Sequence, residues 1–169
     1  MDSIETKDTL FLEIKIPFVL KDMNTNALID YSESLNLGTT VSIDSLTGGS
    51  INIPGTAPAA NSFNYLVFQG KKIENKVFPE RMTEYLFDKD MYNSQYVFKL
   101  GIIPNKRGVF IIGVGNASGV YRKSDKCTKA SYSINFHDTN QHLYYYQQNR
   151  PGYIIEGLEK TNSYCFKVY

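Results

Sequence analysis

The sequence predicts a mainly β fold: a β-sandwich of Greek-key, immunoglobulin-like type with one short helix. Three observations carry that expectation. Several short runs alternate apolar and polar residues with a period of two, as half-buried strands do. The run Gln95–Gly115 holds two apolar arms rich in β-branched residues, which suit covered strands. The connections are rich in Gly, Pro and Asn, the residues of turns.

The elements follow in chain order. Residues 1–8 are polar and charged and read as a flexible leader, so a single sandwich domain is expected over 9–169. Leu10, Leu12, Ile14 and Ile16 alternate with Phe11, Glu13 and Lys15 in a strand that Pro17 ends or bends. Thr40–Ile43 and Phe63–Phe68 are further strands, and Leu46–Asn61 is a loop in which Ile51 and Ile53 form a brief strand. Pro79–Phe87 is the best helix: Pro79 suits a first helical position, and Met82, Tyr85 and Leu86 share a face. Tyr96–Ile103 and Val109–Val114 then read as a hairpin about the turn Asn105–Gly108, with Pro104 removing a ladder donor. Gly119–Tyr121 adds a short strand and Ser124–Lys129 a polar loop. Ala130–His137 alternates again, with Tyr132, Ile134 and Phe136 on one face. His142–Gln148 fits a strand or one helical segment, Asn149–Gly152 is a turn, and Tyr164–Tyr169 is the terminal strand.

Composition narrows the function. The chain has 169 residues, enough to bury a core without metal. Its formal net charge is +1 with no basic run, so the footprint of a nucleic-acid binder is missing. No apolar stretch reaches bilayer-spanning length. The two cysteines, Cys127 and Cys165, fit one disulfide in an oxidising compartment. Such a bridge would contribute on the order of 4 kcal/mol by closing its loop. The competing reading is two buried thiols.

Chemistry-bearing clusters are sparse. Tyr144 and Tyr146 would share one face of a strand, with Arg150 nearby, and could stack on a sugar ring and bond its hydroxyls. His137, Asp138 and His142 carry metal-ligand and acid–base chemistry, the basis of a metal-assisted hydrolase reading, although a surface turn explains them better. Gly113, Gly115 and Gly119 lack the Lys-Ser/Thr pair of a phosphate loop. Cys127 as a nucleophile would need a base and a cationic neighbourhood; Lys123, Lys126 and Lys129 are near, but the loop setting and the partner Cys165 fit a structural bridge better. No catalytic residue, metal or cofactor is therefore assigned.

The segments IPNKRGVFIIGVG, KCTKASYSINF, NQHLYYY, RPGY and YCFKVY resemble small exported lipoproteins of Bacteroidetes with no assigned activity. The resemblance covers about Tyr96–Tyr169. It implies an envelope domain, periplasmic or at the outer-membrane surface, whose precursor leader ends in a lipidated Cys. Its only membrane association would be that anchor, and its partner a protein or glycan of the envelope. Asp2-Ser3-Ile4, Asp8-Thr9-Leu10 and Asp44-Ser45-Leu46 also resemble the O-glycosylated triplets of that phylum. The expectation is a non-enzymatic binding or accessory module. Carbohydrate binding through Tyr144, Tyr146 and Arg150 is the first alternative, and the hydrolase the second.

Overall fold

The computed structural model describes residues 3–35, 37–47, 56–74, 79–116, 120–122, 125–130, 134–136, 141–149 and 162–169. The strands are β1 (Ser3–Ile4), β2 (Leu10–Pro17), β3 (Val19–Lys21), β4 (Leu28–Asp30), β5 (Gly38–Ser45), β6 (Ala57–Pro58), β7 (Phe63–Gln69) and β8 (Lys71–Ile73). They continue as β9 (Met82–Leu86), β10 (Asp88–Asp90), β11 (Gln95–Pro104), β12 (Gly108–Asn116), β13 (Val120–Arg122), β14 (Asp125–Ala130) and β15 (Ser163–Val168), and Tyr144–Asn149 forms the α-helix α1. A seven-stranded sheet runs β1-β15-β12-β5-β9-β8, with β6 beside β5. A four-stranded sheet is built on β11. One side of β11 pairs with β2; the other is shared by β10 and then β7.

The inner faces of the two sheets make one core. Leu12 and Ile14 of β2 and Phe98, Leu100 and Ile102 of β11 meet Val41, Ile43, Phe110, Ile112, Phe166 and Val168 of the larger sheet. Phe63 meets Phe110 edge to face at 4.9 Å, and Tyr85 meets Phe98 at 5.0 Å, both across the gap between sheets. Each such side chain contributes about 1.5–3 kcal/mol by leaving water. The expected β-sandwich is thus the observed architecture, and the alternation read in β2 is its burial pattern: Leu12 and Ile14 buried, Phe11, Glu13 and Lys15 exposed.

Four expectations are corrected. The run Gln95–Gly115 forms two strands but not a hairpin: β11 lies in the smaller sheet and β12 in the larger. Each fills both of its edges with other partners, so the turn at Asn105–Arg107 carries the chain across the sandwich. That corner is held by Asn105 N–H donating to the Ser62 carbonyl at 2.9 Å and Asn64 Nδ2 to Asn105 Oδ1 at 3.1 Å. The segment expected as a helix is β9, paired on both sides by β5 and β8. So short a helix gains little by itself, whereas the strand buries Tyr85 and then Phe87. The loop expected at Ser124–Lys129 contains β14, which pairs with β13. Within the supposed leader, β1 pairs parallel to β15 and puts Ile4 in the core. Expectations for Ile51, Ile53, Gly119 and the turn after Asn149 lie outside the described residues. Of Ala130–His137, Ile134 and Phe136 pack against the core and Asn135 is exposed, but without strand pairing.

Two further corners hand the chain between sheets. β7 leaves the smaller sheet for β8 at Gly70, and β9 returns to β10 at Phe87. Gly70 N–H donates to Asp88 Oδ2 at 2.6 Å, tying one crossing to the other. Edges are treated unequally. Along β15, β1 covers one end, and Gln141 covers the other by accepting from Cys165 N–H at 2.9 Å and donating to the Ser163 carbonyl at 2.6 Å. Among the described residues, no strand pairs with the outer edge of β2.

Candidate functional site

The outer face of the four-stranded sheet carries an apolar patch built by three strands. Phe11 of β2 lies opposite Gly101 of β11, and Gly101 lies opposite Leu66 of β7. Phe11, Leu66 and Phe68 are 55%, 49% and 55% exposed, where an antiparallel sheet facing water normally carries polar groups. Gly101 makes the cluster possible. A Cβ there would lie 3.0 Å from Phe68 Cε2 and 3.0 Å from Thr9 Cγ2, so the rings close over a position with no side chain. Phe11 and Phe68 thereby meet at 5.8 Å between centroids, across an intervening strand.

Charge frames the patch. Lys99 Nζ stands 5.3 Å from the Phe11 ring centre, a cation–π contact. Lys99 lies opposite Glu13 in the ladder, and Glu13 Oε1 pairs with Lys15 Nζ at 3.0 Å. The arrangement offers ring faces for stacking beside ammonium donors and a carboxylate acceptor. Round the edge of β2, a groove of about 430 Å³ is lined by Leu12, Ile14, Ile16, Leu20, Val114 and Phe136, among others.

The residues singled out in the sequence fall elsewhere. Tyr144 and Tyr146 do not share a face, because α1 is helical and residues two apart then point about 200° apart. Tyr144 is exposed, whereas Tyr146 is buried with Leu46 and Cys165 against the outer face of the larger sheet. Arg150 lies outside the described residues. Cys165 is a buried free thiol, and the expected Cys127–Cys165 bridge turns on a side chain, that of Cys127, outside the described residues. Burial pushes its pKa up to about 12, and the Tyr146 backbone N–H opposes that rise. The backbone of Cys127 belongs to β14, and its side chain lies outside the described residues. His142 is buried, with Nδ1 3.3 Å from the Cys165 carbonyl and its ring edge-on to Tyr164 at 5.2 Å. His137 and Asp138 lie outside the described residues. Among those described, no group of His, Cys, Asp and Glu is arranged to hold a metal.

A second charged feature sits on the larger sheet. Asp44 Oδ1 and Arg81 Nε are 3.0 Å apart and mostly buried. Burial pushes the Asp44 carboxyl up, against the pull of Arg81. The Phe11 patch left one signal in the sequence: an aromatic residue in the solvent phase of β2, alongside Glu13 and Lys15. Its partners on β7 are visible only through strand register. In comparisons with known proteins, no family model, curated protein or solved structure gives a significant match to this chain.

Proposed function

We propose that this chain is a non-enzymatic binding module of the bacterial cell envelope, exported and held there by a lipid anchor. The compartment rests on the resemblance of the C-terminal half to exported Bacteroidetes lipoproteins. The binding role rests on one observation: Phe11, Leu66 and Phe68 stay exposed together over Gly101 on a sheet face. Leaving such a cluster in water forgoes the stabilisation that burial would give, which is the expected signature of a recognition surface.

The charged frame favours a glycan as the ligand class. A sugar ring presents an apolar face to stack on Phe11 or Phe68, while Lys99, Glu13 and Lys15 supply donors and an acceptor for its hydroxyls. This reading moves carbohydrate recognition from Tyr144 and Tyr146 to the opposite sheet. A glycan array probed with the wild type and a Phe11→Ser/Phe68→Ser variant tests it. Binding lost in the variant and kept in Tyr144→Ala supports the patch. Binding unchanged in the double variant, or no glycan bound by the wild type, removes the glycan reading.

A further inference from the structure

We propose that β2 is the pairing edge of a symmetric dimer, with a second copy of this chain continuing the four-stranded sheet. The hydrogen-bond phase of β2 identifies the backbone groups that no strand among the described residues pairs with. Phe18 N–H donates to the Ser94 carbonyl at 3.0 Å, in register with the β2–β11 ladder. Backbone groups alternate sides along a strand. Leu12, Ile14 and Ile16 therefore turn their N–H and C=O groups toward β11, and Phe11, Glu13, Lys15 and Pro17 turn theirs to the outer edge. Pro17 has no N–H, which suits that edge.

An antiparallel copy of β2 has to place outward groups opposite outward groups, which leaves few registers. Centred on Glu13, like charges meet; centred on Lys15, like charges meet again. Centred on Ile14, Glu13 faces Lys15 of the second copy and Lys15 faces its Glu13. In that register Glu13 and Lys15 exchange N–H···O=C bonds with each other across the twofold axis, and Phe11 N–H reaches the Pro17 carbonyl. Charged side chains on an edge strand ordinarily discourage pairing. Here Leu12-Glu13-Ile14-Lys15-Ile16 is antisymmetric in charge about Ile14, so a twofold partner turns both charges into complements. Glu13 would sit between Lys99 of its own sheet and Lys15 of the copy.

This dimer stands independently of the ligand reading, but it has a consequence for it. Cross-strand neighbours share a face, so both Phe11 patches would lie on one side of a continuous sheet. A polymeric ligand could then engage two patches at once.

Sedimentation velocity across a concentration series, without ligand, tests the pairing. The wild type should form a dimer that dissociates on dilution. Glu13→Lys and Lys15→Glu each set like charges face to face and should weaken self-association about ten-fold or more. An equimolar mixture of the two variants should restore the dimer, because the two lysines on the edge of one variant then face the two glutamates on the edge of the other. Circular dichroism melts verify that each variant is folded, as both side chains are on the surface. A wild type that stays monomeric to millimolar concentration overturns the proposal. Dimers indifferent to the single reversals, or a mixture that does not re-associate, overturn the register.

Discussion

Replacing Gly70 by alanine should strike the joint where the chain changes sheets. Gly70 has φ of +96°, in the region that L side chains rarely adopt. Forcing alanine there costs about 1–2 kcal/mol in backbone terms. A Cβ would also lie 2.6 Å from the Leu86 carbonyl oxygen and 2.8 Å from Phe98 Cδ2. Neither neighbour can retreat easily: the first is backbone of β9, and Phe98 is fully buried between Tyr85 and Phe87. Overpacking of that kind costs about 1–3 kcal/mol. The sum, roughly 2–5 kcal/mol, is a large share of a typical domain's stability. For a chain of this length it corresponds to a fall in Tm of about 5–20 °C. Gly115→Ala is the matched control, since nothing lies within 4 Å of its added Cβ, and it should stay within about 0.5 kcal/mol of the wild type. Thermal melts by circular dichroism and urea midpoints for both variants measure the difference. Equal melting temperatures for the two would refute the account of Gly70 as a joint with neither dihedral nor steric freedom.

Three further outcomes are expected. Tyr96→Phe should destabilise by about 1–3 kcal/mol in urea titration, because the buried hydroxyl donates to the Tyr31 carbonyl at 2.6 Å and lies near those of Ser32 and Ser34; an unchanged midpoint would mean water replaces it. In a Cys127→Ser variant, iodoacetamide at pH 8 should leave the native protein unlabelled and modify Cys165 only in denaturant, by mass spectrometry; rapid native labelling would contradict a buried thiol with its pKa near 12. Asp44 has a folded-state pKa raised above the ordinary 3.8, so the folded protein binds more protons in the window just above that value. Its contribution to stability is therefore present below 3.8 and lost as pH rises through the folded pKa. The Tm of the wild type relative to Asp44→Asn should rise as pH falls from 7 toward 4, and a difference that shrinks would show that Arg81 dominates.

Periodicity alone determined that this is a strand-built sandwich, and it marked β2 with its inner face and β7 and β15 as strands, because alternation is a local property of an extended chain. The odd aromatic at Phe11 was also readable. Pairing was not, since hydrogen-bond partners are chosen between segments far apart in sequence. That is why Tyr96–Ile103 and Val109–Val114 could be read as a hairpin when they face each other across the core. Met82–Leu86 is a strand because β5 and β8 flank it, a reason absent from its own residues. The same holds for function. Tyr144 and Tyr146 separate once the backbone winds into α1, Cys165 is enclosed by Leu46 and Tyr146, and Phe11, Leu66 and Phe68 meet only because β11 lies between their strands and offers Gly101 at the crossing.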